Sequence, residues 1–560
     1  MNGPSPARRR LVVLFAVISL AAFAVRLLHL AAIRPHPWWD LASIWAESDM
    51  HQNLLWARHL EAGDWLDRNT FRAWFDWQES IAPREVWSSW FGAHTYYQPP
   101  LYPYLLAVNL KLTDSLDAAR VAQLALGAIN CGLLALLAAR LFGPAAGWLA
   151  GFGAATYAPF IFYDAELLRN TVVTTSQLGL LLALASRWYF VAGAVFAIAW
   201  LADSSIVVFA PLAALWVWWA GGKLALSRSG LRPVGLFALG AIAGVLPLCA
   251  RNAAVGAPLL SATTRAPLAF IMGNAPDANP GAAYIPESTG SILRASGYGM
   301  AATMGETLRR YDGGYGALAC KQWDKMKALW GAYELPDNPS FYYAARLSPV
   351  LRYGLRFLPV AALGLAGLCL ILPRAGRDPD AALLPLHLAA CTSLFALTHV
   401  VSRYRLPLLI SLIPLAGWAL GEVLARMRAG RGGVSWRGPA ILAAALAAAA
   451  LLARTPPAGY GYNRPVEFVM VARLFEDRGQ PQEAADELRS AARLSAQETA
   501  FKDHEASLWL QAGLTQARAG QHADAIESFR MALARDPAMG EAAEALALSE
   551  RALRRGGAEP

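Results

Sequence analysis

The chain has 560 residues, of which 56% are hydrophobic, and its mean hydropathy is positive. A soluble domain cannot hide that much apolar surface, so composition excludes an ordinary soluble protein and predicts a polytopic membrane protein. The net charge of +9 does not imply a nucleic-acid partner, because the basic residues cluster in short loops between apolar runs, as the positive-inside rule arranges them.

A membrane-crossing helix needs about 20 apolar residues, and runs of that kind lie near residues 11–32, 101–141, 145–162, 168–186, 188–202, 205–220, 233–250, 352–372, 381–401, 404–423 and 438–453. This predicts about eleven spans in an all-α membrane helix bundle. The second run is too long for one span. Pro99, Pro100 and Pro103 predict a short interfacial piece there, with the true helix starting near Leu116.

Arg8, Arg9 and Arg10 precede the first run. Arg140, Arg187, Lys223 with Arg228 and Arg232, Arg374 with Arg377, and Arg426, Arg428, Arg431 and Arg437 then mark every second connection. All of these are expected on the cytoplasmic side, with the first run acting as a signal anchor and the amino terminus inside. The opposite face then receives the loop from Pro35 to Pro100, the turn from Tyr157 to Asn170, the turn near Asp203, the segment from Arg251 to about Leu351, the turn at Ser402–Arg405 and the carboxyl-terminal region. Four of the five cysteines (Cys131, Cys249, Cys369, Cys391) lie in apolar runs and Cys320 in a polar region; with no CxxC spacing they read as packing residues.

The expected domains are a membrane body over 1–455, with outer loops at about 33–100 and 251–351, and a carboxyl-terminal domain over 465–560. In the latter, Trp509, Gly513, Gly520, Ala525, Phe529, Ala532 and Pro537 follow the tetratricopeptide pattern, which pairs two helices per repeat. Phe468, Phe475, Gly479, Ala484, Leu488 and Ala491 form a looser copy joined through Gln497–Glu505, and Glu541–Arg555 reads as a cap. Such a domain either presents a docking surface to a protein partner or acceptor, or braces the membrane body.

The outer clusters carry the chemistry. Ser48-Asp49-Met50-His51, Glu61-Ala62-Gly63-Asp64-Trp65 and Gln98-Pro99-Pro100-Leu101-Tyr102-Pro103-Tyr104 resemble the first outer loop of GT-C class membrane glycosyltransferases, above all the family 39-like bacterial proteins and their protein O-mannosyltransferase and aminoarabinose transferase relatives. Leu246-Pro247-Leu248-Cys249-Ala250-Arg251-Asn252 with Phe270-Ile271-Met272-Gly273-Asn274-Ala275-Pro276 is similar to the Pro-x-x-x-Arg-Asn and Gly-Asn-x-Pro signatures of that family, and Ser402-Arg403-Tyr404-Arg405-Leu406-Pro407 to its Arg-Tyr-Arg-x-Pro motif.

The resemblance implies transfer of a sugar from a polyprenyl-phosphate donor to an acceptor hydroxyl with inversion. Asp49 then stands where the family has its catalytic base, and Glu47 is a weaker candidate. Tyr102 joins the substrate-binding set, as does Asp164 or Glu166, a choice the sequence leaves open; Glu166 and Arg169, three apart, would otherwise pair on one helix face. Arg251, Asn252, Asn274, Arg403, Tyr404 and Arg405 complete the set, the arginines because a fixed guanidinium holds a phosphate bidentately and stabilises its developing charge. The plain alternatives are an interfacial face for Asp49, snorkelling to lipid for Arg251, and pairing with loop carboxylates for Arg403 and Arg405. Tyr333-Glu334-Leu335-Pro336-Asp337-Asn338-Pro339 reads either as a lid on the site or as surface packing.

Many relatives have Arg-Pro where this chain has Asp203-Ser204-Ser205, which places the donor side in question unless Asp203 pairs with one of these arginines. No metal ligands are assigned, because His51 or His94 with Glu166 lacks tight ligand spacing, while a divalent cation (Mg or Mn) is left open as a cofactor. Expected partners are membrane lipid, the polyprenyl-phosphate sugar and a protein docked on the repeats. The competing readings are a glycan ligase or polymerase using polyprenyl diphosphate, and a non-enzymatic scaffold that anchors the repeats to the membrane.

Overall fold

The computed structural model describes residues 6–279, 281, 284–428, 443, 446, 447, 464–496 and 502–556. Most of the expected span at 438–453, the basic residues Arg431 and Arg437, the side chains of Arg426 and Arg428, and part of the Gln497–Glu505 connection lie outside the described residues. Those described are helical, with no strand among them; one isolated bridge joins Tyr157 to Leu355. The chain divides into two compact units, one of Met1–His29, Gln52–Asp337 and Val350–Thr455, the other of Leu30–His51, Asn338–Pro349 and Pro456–Pro560.

The first unit is the helix bundle. Among the described residues, six helices are long and apolar enough to cross a membrane: Pro6–Ile33, Leu116–Phe142, Ser204–Gly222, Arg228–Val255, Phe357–Ala375 and Ser402–Ala425. Ala158–Ala165 and Asn170–Ala185, bent by 119°, make a seventh if counted as one broken span. The expected run at 438–453 is largely outside this search, which covers the described residues. Several apolar runs form shorter helices, Pro144–Thr156, Tyr189–Ala202 and Pro379–Leu394 among them. The long second run splits as expected, into Leu101–Thr113 and Leu116–Phe142, with Asp114 in left-handed backbone between them and the Ser115 hydroxyl accepting from the Ala118 amide to start the second helix.

The bundle packs through small residues. A methyl group added at Gly193 would stand 1.9 Å from the Phe237 carbonyl, and one at Gly240 1.9 Å from that of Phe190, so Tyr189–Ala202 and Arg228–Val255 touch backbone to backbone. Without a hydrophobic drive between helices in lipid, such close approach supplies the packing energy. All five cysteines are free thiols.

The second unit gathers the carboxyl-terminal helices Pro465–Asp477, Pro481–Ser495, Glu505–Arg518, His522–Arg535 and Gly540–Gly556, each packed on the next. Gly479 and Gly520, at φ +70° and +76°, end the first helix of each hairpin in the left-handed conformation that glycine adopts without strain. Gly513 lies against the Phe529 ring, so no larger residue fits there. These helices pack on segments far away in sequence: Trp38 stacks on Tyr343 with centroids 4.7 Å apart, Tyr343 meets Phe468 edge-on at 4.9 Å, and Arg478 pairs with Asp40 at 2.6 Å.

His36 lies in this packing, its Nδ1 accepting from the Trp38 amide and its ring 5.3 Å from that of Phe475. Burial, with Arg478 and Arg346 nearby, lowers its pKa from 6.5 to about 4. The unfolded chain therefore takes up the proton first, and stability is lost as pH falls from about 6.5 towards about 4. Thermal unfolding of the detergent-purified protein should show this loss, and His36→Asn, which keeps an acceptor but cannot titrate, should reduce it.

Candidate functional site

Asp49 is the first residue of the helix Asp49–Glu61, where the amide groups lack intrahelical partners and the helix dipole favours a carboxylate. Ser48 closes the turn before it, accepting from the His51 amide at 3.1 Å and donating to the Trp45 carbonyl at 2.7 Å. Asp49 is 8% exposed, whereas Glu47 is exposed, so the structure separates the two carboxylates. Asn338 brackets Asp49 from both ends: its Oδ1 accepts from the Asp49 amide at 2.5 Å and its Nδ2 donates to Asp49 Oδ2 at 3.3 Å. The Asn338 carbonyl in turn accepts from Arg464, whose guanidinium pairs with buried Glu467, Nε to Oε1 at 2.8 Å. Arg464 and Glu467 open the carboxyl-terminal helices, so that region reaches the candidate base through a short polar relay.

Within the bundle, Asp164 and Glu166 have different surroundings. Asp164 Oδ2 accepts from Arg26 Nη2 at 2.6 Å and Nε at 2.9 Å, and Oδ1 from the Thr171 hydroxyl at 2.7 Å. Both charges are buried, and Gly127 leaves room for the carboxylate. This is a closed pair of the kind an apolar bundle requires of an internal charge. Glu166 sits in extended backbone just past Ala158–Ala165, so it does not share a helix face with Arg169 as the three-residue spacing suggested. Its carbonyl, with that of Asp164, accepts from Gln123 Nε2, and the Tyr102 hydroxyl orients Gln123 by donating to Oε1 at 2.9 Å. Tyr102 thus helps to hold the bend that carries both acids.

Arg251 spends all five donors within the protein, on the carbonyls of Leu66 (2.9 Å), His94 (2.6 Å) and Asp67 (2.7 Å), on Asn252 Oδ1 (3.1 Å) and on the Thr70 hydroxyl (3.2 Å), while lying 4.1 Å from the Tyr96 ring centroid. It organises the first outer loop. Asn252 Nδ2 binds the carbonyls of Pro258, Leu259 and Ser261 and shapes the turn after its helix. Arg405 donates to the carbonyls of Ala328, Gly331 and Tyr333, caps the end of the helix Gly314–Trp330 and lies 4.7 Å from the Phe357 centroid. Asn274 Nδ2 binds its own helix at the Phe270 carbonyl, and its Oδ1 accepts from Gln322 at 2.8 Å and Lys325 at 3.1 Å.

Arg403 and Tyr404 instead border a chamber of about 410 Å³. Arg403 is 3% exposed, pairs with Asp337 and lies 5.2 Å from the Tyr404 centroid. Two further arginines border the chamber, Arg169 and Arg265; the rest of its wall is largely apolar, with Val173, Trp200, Val207 and Leu260 prominent. Asp203 answers Arg169, 3.6 Å from its Nε, rather than any of the three arginines the sequence singled out; Arg169 also donates to Gln98 Oε1 at 3.2 Å. Arg265 lies 5.8 Å from the Tyr97 centroid. Neither Asp164 nor Glu166 borders this chamber. The sequence named Arg169 only as a partner for Glu166 and passed over Arg265, although a basic residue directly before the run that holds Gly273 and Asn274 was a usable signal.

Among the described residues one group has ligand atoms close enough to share a metal ion: His59, Asp64 and Asp67, all within 4.8 Å of one another. Their oxygens already have partners. Asp67 accepts from the Phe71 amide and the Trp56 indole, and Asp64 from the Asn69 amide, with His59 Nε2 3.3 Å from Asp67 Oδ1. Burial raises the pKa of Asp67, while backbone hydrogen bonds, that of Arg68 first, lower that of Asp64. The donor set fits a hydrogen-bonded loop lock, and no chemistry is routed through a metal. His51 and His94 are tied to the carbonyls of Ala42 and Arg68.

No protein-family model and no curated protein matches the chain. Solved structures similar to it include the oligosaccharyltransferase of Archaeoglobus fulgidus in the apo form, 14% identical at a TM-score of 0.40, covering 79% of this chain and 54% of that one. ArnT from Cupriavidus metallidurans bound to undecaprenyl phosphate is 16% identical at a TM-score of 0.37, covering 84% of this chain and 74% of that one. This chain spans little more than half the length of the archaeal enzyme, 54% and 58% in two of its structures.

The Arg26–Asp164 pair is open to a direct test. Asp164→Ala leaves a buried guanidinium without its counter-charge and should cost about 3–5 kcal/mol, read as a lower thermal midpoint in detergent. The double variant Arg26→Met/Asp164→Leu should regain much of it, because apolar replacements remove both charges together. No recovery would mean that the pair does more than neutralise charge.

Proposed function

We propose that this chain is an integral membrane glycosyltransferase that moves a sugar from a polyprenyl-phosphate donor to an acceptor hydroxyl on the outer face of a bacterial inner membrane, with the amino terminus in the cytoplasm. The observation that carries this reading is the chamber of about 410 Å³ in which Arg403, Arg169 and Arg265 meet a largely apolar wall. An amphiphile with an anionic head and a hydrocarbon tail suits such a chamber, whereas a free sugar phosphate leaves its apolar part unused. The motifs around Asp49, Arg251 and Arg403 support the same class of reaction.

In this scheme the acceptor oxygen attacks the anomeric carbon from the face opposite the phosphate, and the bond from that carbon to the phosphate oxygen breaks with inversion. The acceptor proton passes to the Asp49 carboxylate. Polyprenyl phosphate departs with its charge stabilised by guanidinium groups, of which Arg403, oriented by Asp337, is the foremost. Arg251 and Arg405 act one step back: they shape the first outer loop and the Ala328–Tyr333 turn. Asn338 is a positioning residue for Asp49. The carboxyl-terminal hairpins serve as tetratricopeptide repeats that dock a protein partner or acceptor, so a protein hydroxyl is the preferred acceptor.

The test uses the purified full chain in nanodiscs with a labelled polyprenyl-phosphate sugar. Asp49→Asn should abolish transfer while donor binding persists; undiminished transfer removes Asp49 from the mechanism. Arg403→Gln should weaken donor binding by about tenfold or more, the worth of a charge-assisted hydrogen bond. Donor binding by neither the wild type nor any variant would favour the scaffold reading. Asn338→Ala should lower kcat with little change in donor affinity, and equal losses in both would assign it a general folding role.

A further inference from the structure

A second cavity, of about 610 Å³, lies between the helices Gly314–Trp330, Phe357–Ala375 and Pro379–Leu394, and the proposed transfer does not use it. Leu365, Leu368 and Leu372 recur at helical spacing along one wall, and Leu388 and Thr392 along another. The leucine wall runs for roughly 10 Å along a membrane-spanning helix, and Leu372 is 52% exposed at its end.

Lys325 borders this slot and is 1% exposed. Its ammonium donates to Asn274 Oδ1 at 3.1 Å and to the Ala396 carbonyl at 3.3 Å, both neutral acceptors. No carboxylate lines the slot among the described residues. The nearby acids are engaged elsewhere: Asp324 pairs with Lys327 at 2.5 Å, and Asp277 accepts from the amide and hydroxyl of Ser288. Lys321, one turn away, adds positive charge and spends its own ammonium on the carbonyls of Pro276 and Ala278. Burial and the Lys321 charge lower the Lys325 pKa to about 7. A buried cation held only by neutral acceptors is costly, and an anion brought to it recovers much of that cost.

We infer that this slot binds an anionic phospholipid of the surrounding bilayer, with its phosphate on Lys325 and one acyl chain along the leucine wall. A basic pocket between membrane helices is a known form of lipid headgroup site. The slot is separate from the arginine-lined chamber, since Leu394, Leu397 and Thr398 border the chamber while Thr392, Ser393 and Ala396 border the slot. The two share a structural element: the helix Ala266–Asn274 lines the chamber through Ala266 and Ala269 and ends on the Asn274 that Lys325 holds. The inference stands on the slot alone and does not need the transferase reading.

The test places the purified full chain in phosphatidylcholine nanodiscs with and without phosphatidylglycerol, and counts the phosphatidylglycerol retained after extraction by native mass spectrometry. The wild type should retain about one molecule more than Lys325→Gln, whose affinity should fall about tenfold for one lost charge-assisted contact. Leu368→Trp, which fills the slot but keeps the ammonium, should show the same loss. Lys325→Gln removes a buried charge and adds none, so folding should persist, and wild-type-like thermal unfolding of both variants in detergent would show that the fold is intact. Equal retention of phosphatidylglycerol by all three proteins overturns the inference. So does recovery of polyprenyl phosphate from the slot in place of phosphatidylglycerol, or full retention by Leu368→Trp.

Discussion

A charge inside an apolar helix bundle must be neutralised or fully hydrogen-bonded, and the rest of this structure follows from how each internal cation meets that demand. Arg26 meets it with Asp164, and the pair ties the first span to the broken helix carrying Asp164. Arg251 and Arg405 meet it with main-chain carbonyls, which fold the outer loop and the Ala328–Tyr333 turn into place. Arg403 meets it with Asp337 at the edge of a chamber. Motif residues of the same chemical type thus divide into those that build the walls and those that face the cavity.

This division bears on mechanism. A guanidinium saturated by five protein acceptors has no donor left for a phosphate, whereas Arg403 pairs with Asp337 at the border of a cavity. Asp203 plays a comparable part. Asp203 lies 3.6 Å from Arg169 Nε at the border of the chamber, which lowers the net charge there while fixing one of its arginines.

The second unit is made from three separate stretches of chain. The segments Leu30–His51 and Asn338–Pro349 pack with the carboxyl-terminal helices, and the relay from Glu467 through Arg464 and Asn338 ends on Asp49. Packed helices bury their apolar faces on neighbours, and here Phe468 and Phe475 bury theirs partly on Tyr343 and His36. A domain that looked appended is joined to the residue with the strongest claim to be the base.

The sequence by itself determined the helical membrane character, the break near Leu116, the hairpins after residue 465 and the outer-loop residues worth inspecting. Apolar runs, prolines and glycines act locally, and local chemistry is legible one residue at a time. Apolarity marks a segment as buried in lipid or protein, and several apolar runs are divided into shorter helices, with breaks at Tyr157 and Glu166. Arg26, inside the first apolar run, was not singled out, and its partner lies 138 residues away. Only the tertiary structure decided which arginine faces a cavity and which binds carbonyls, that Asp164 is closed by Arg26, and that Lys325 borders a slot with no carboxylate among the described residues that line it. Each of those depends on groups brought together from distant parts of the chain, and no spacing along the chain encodes a distance in space.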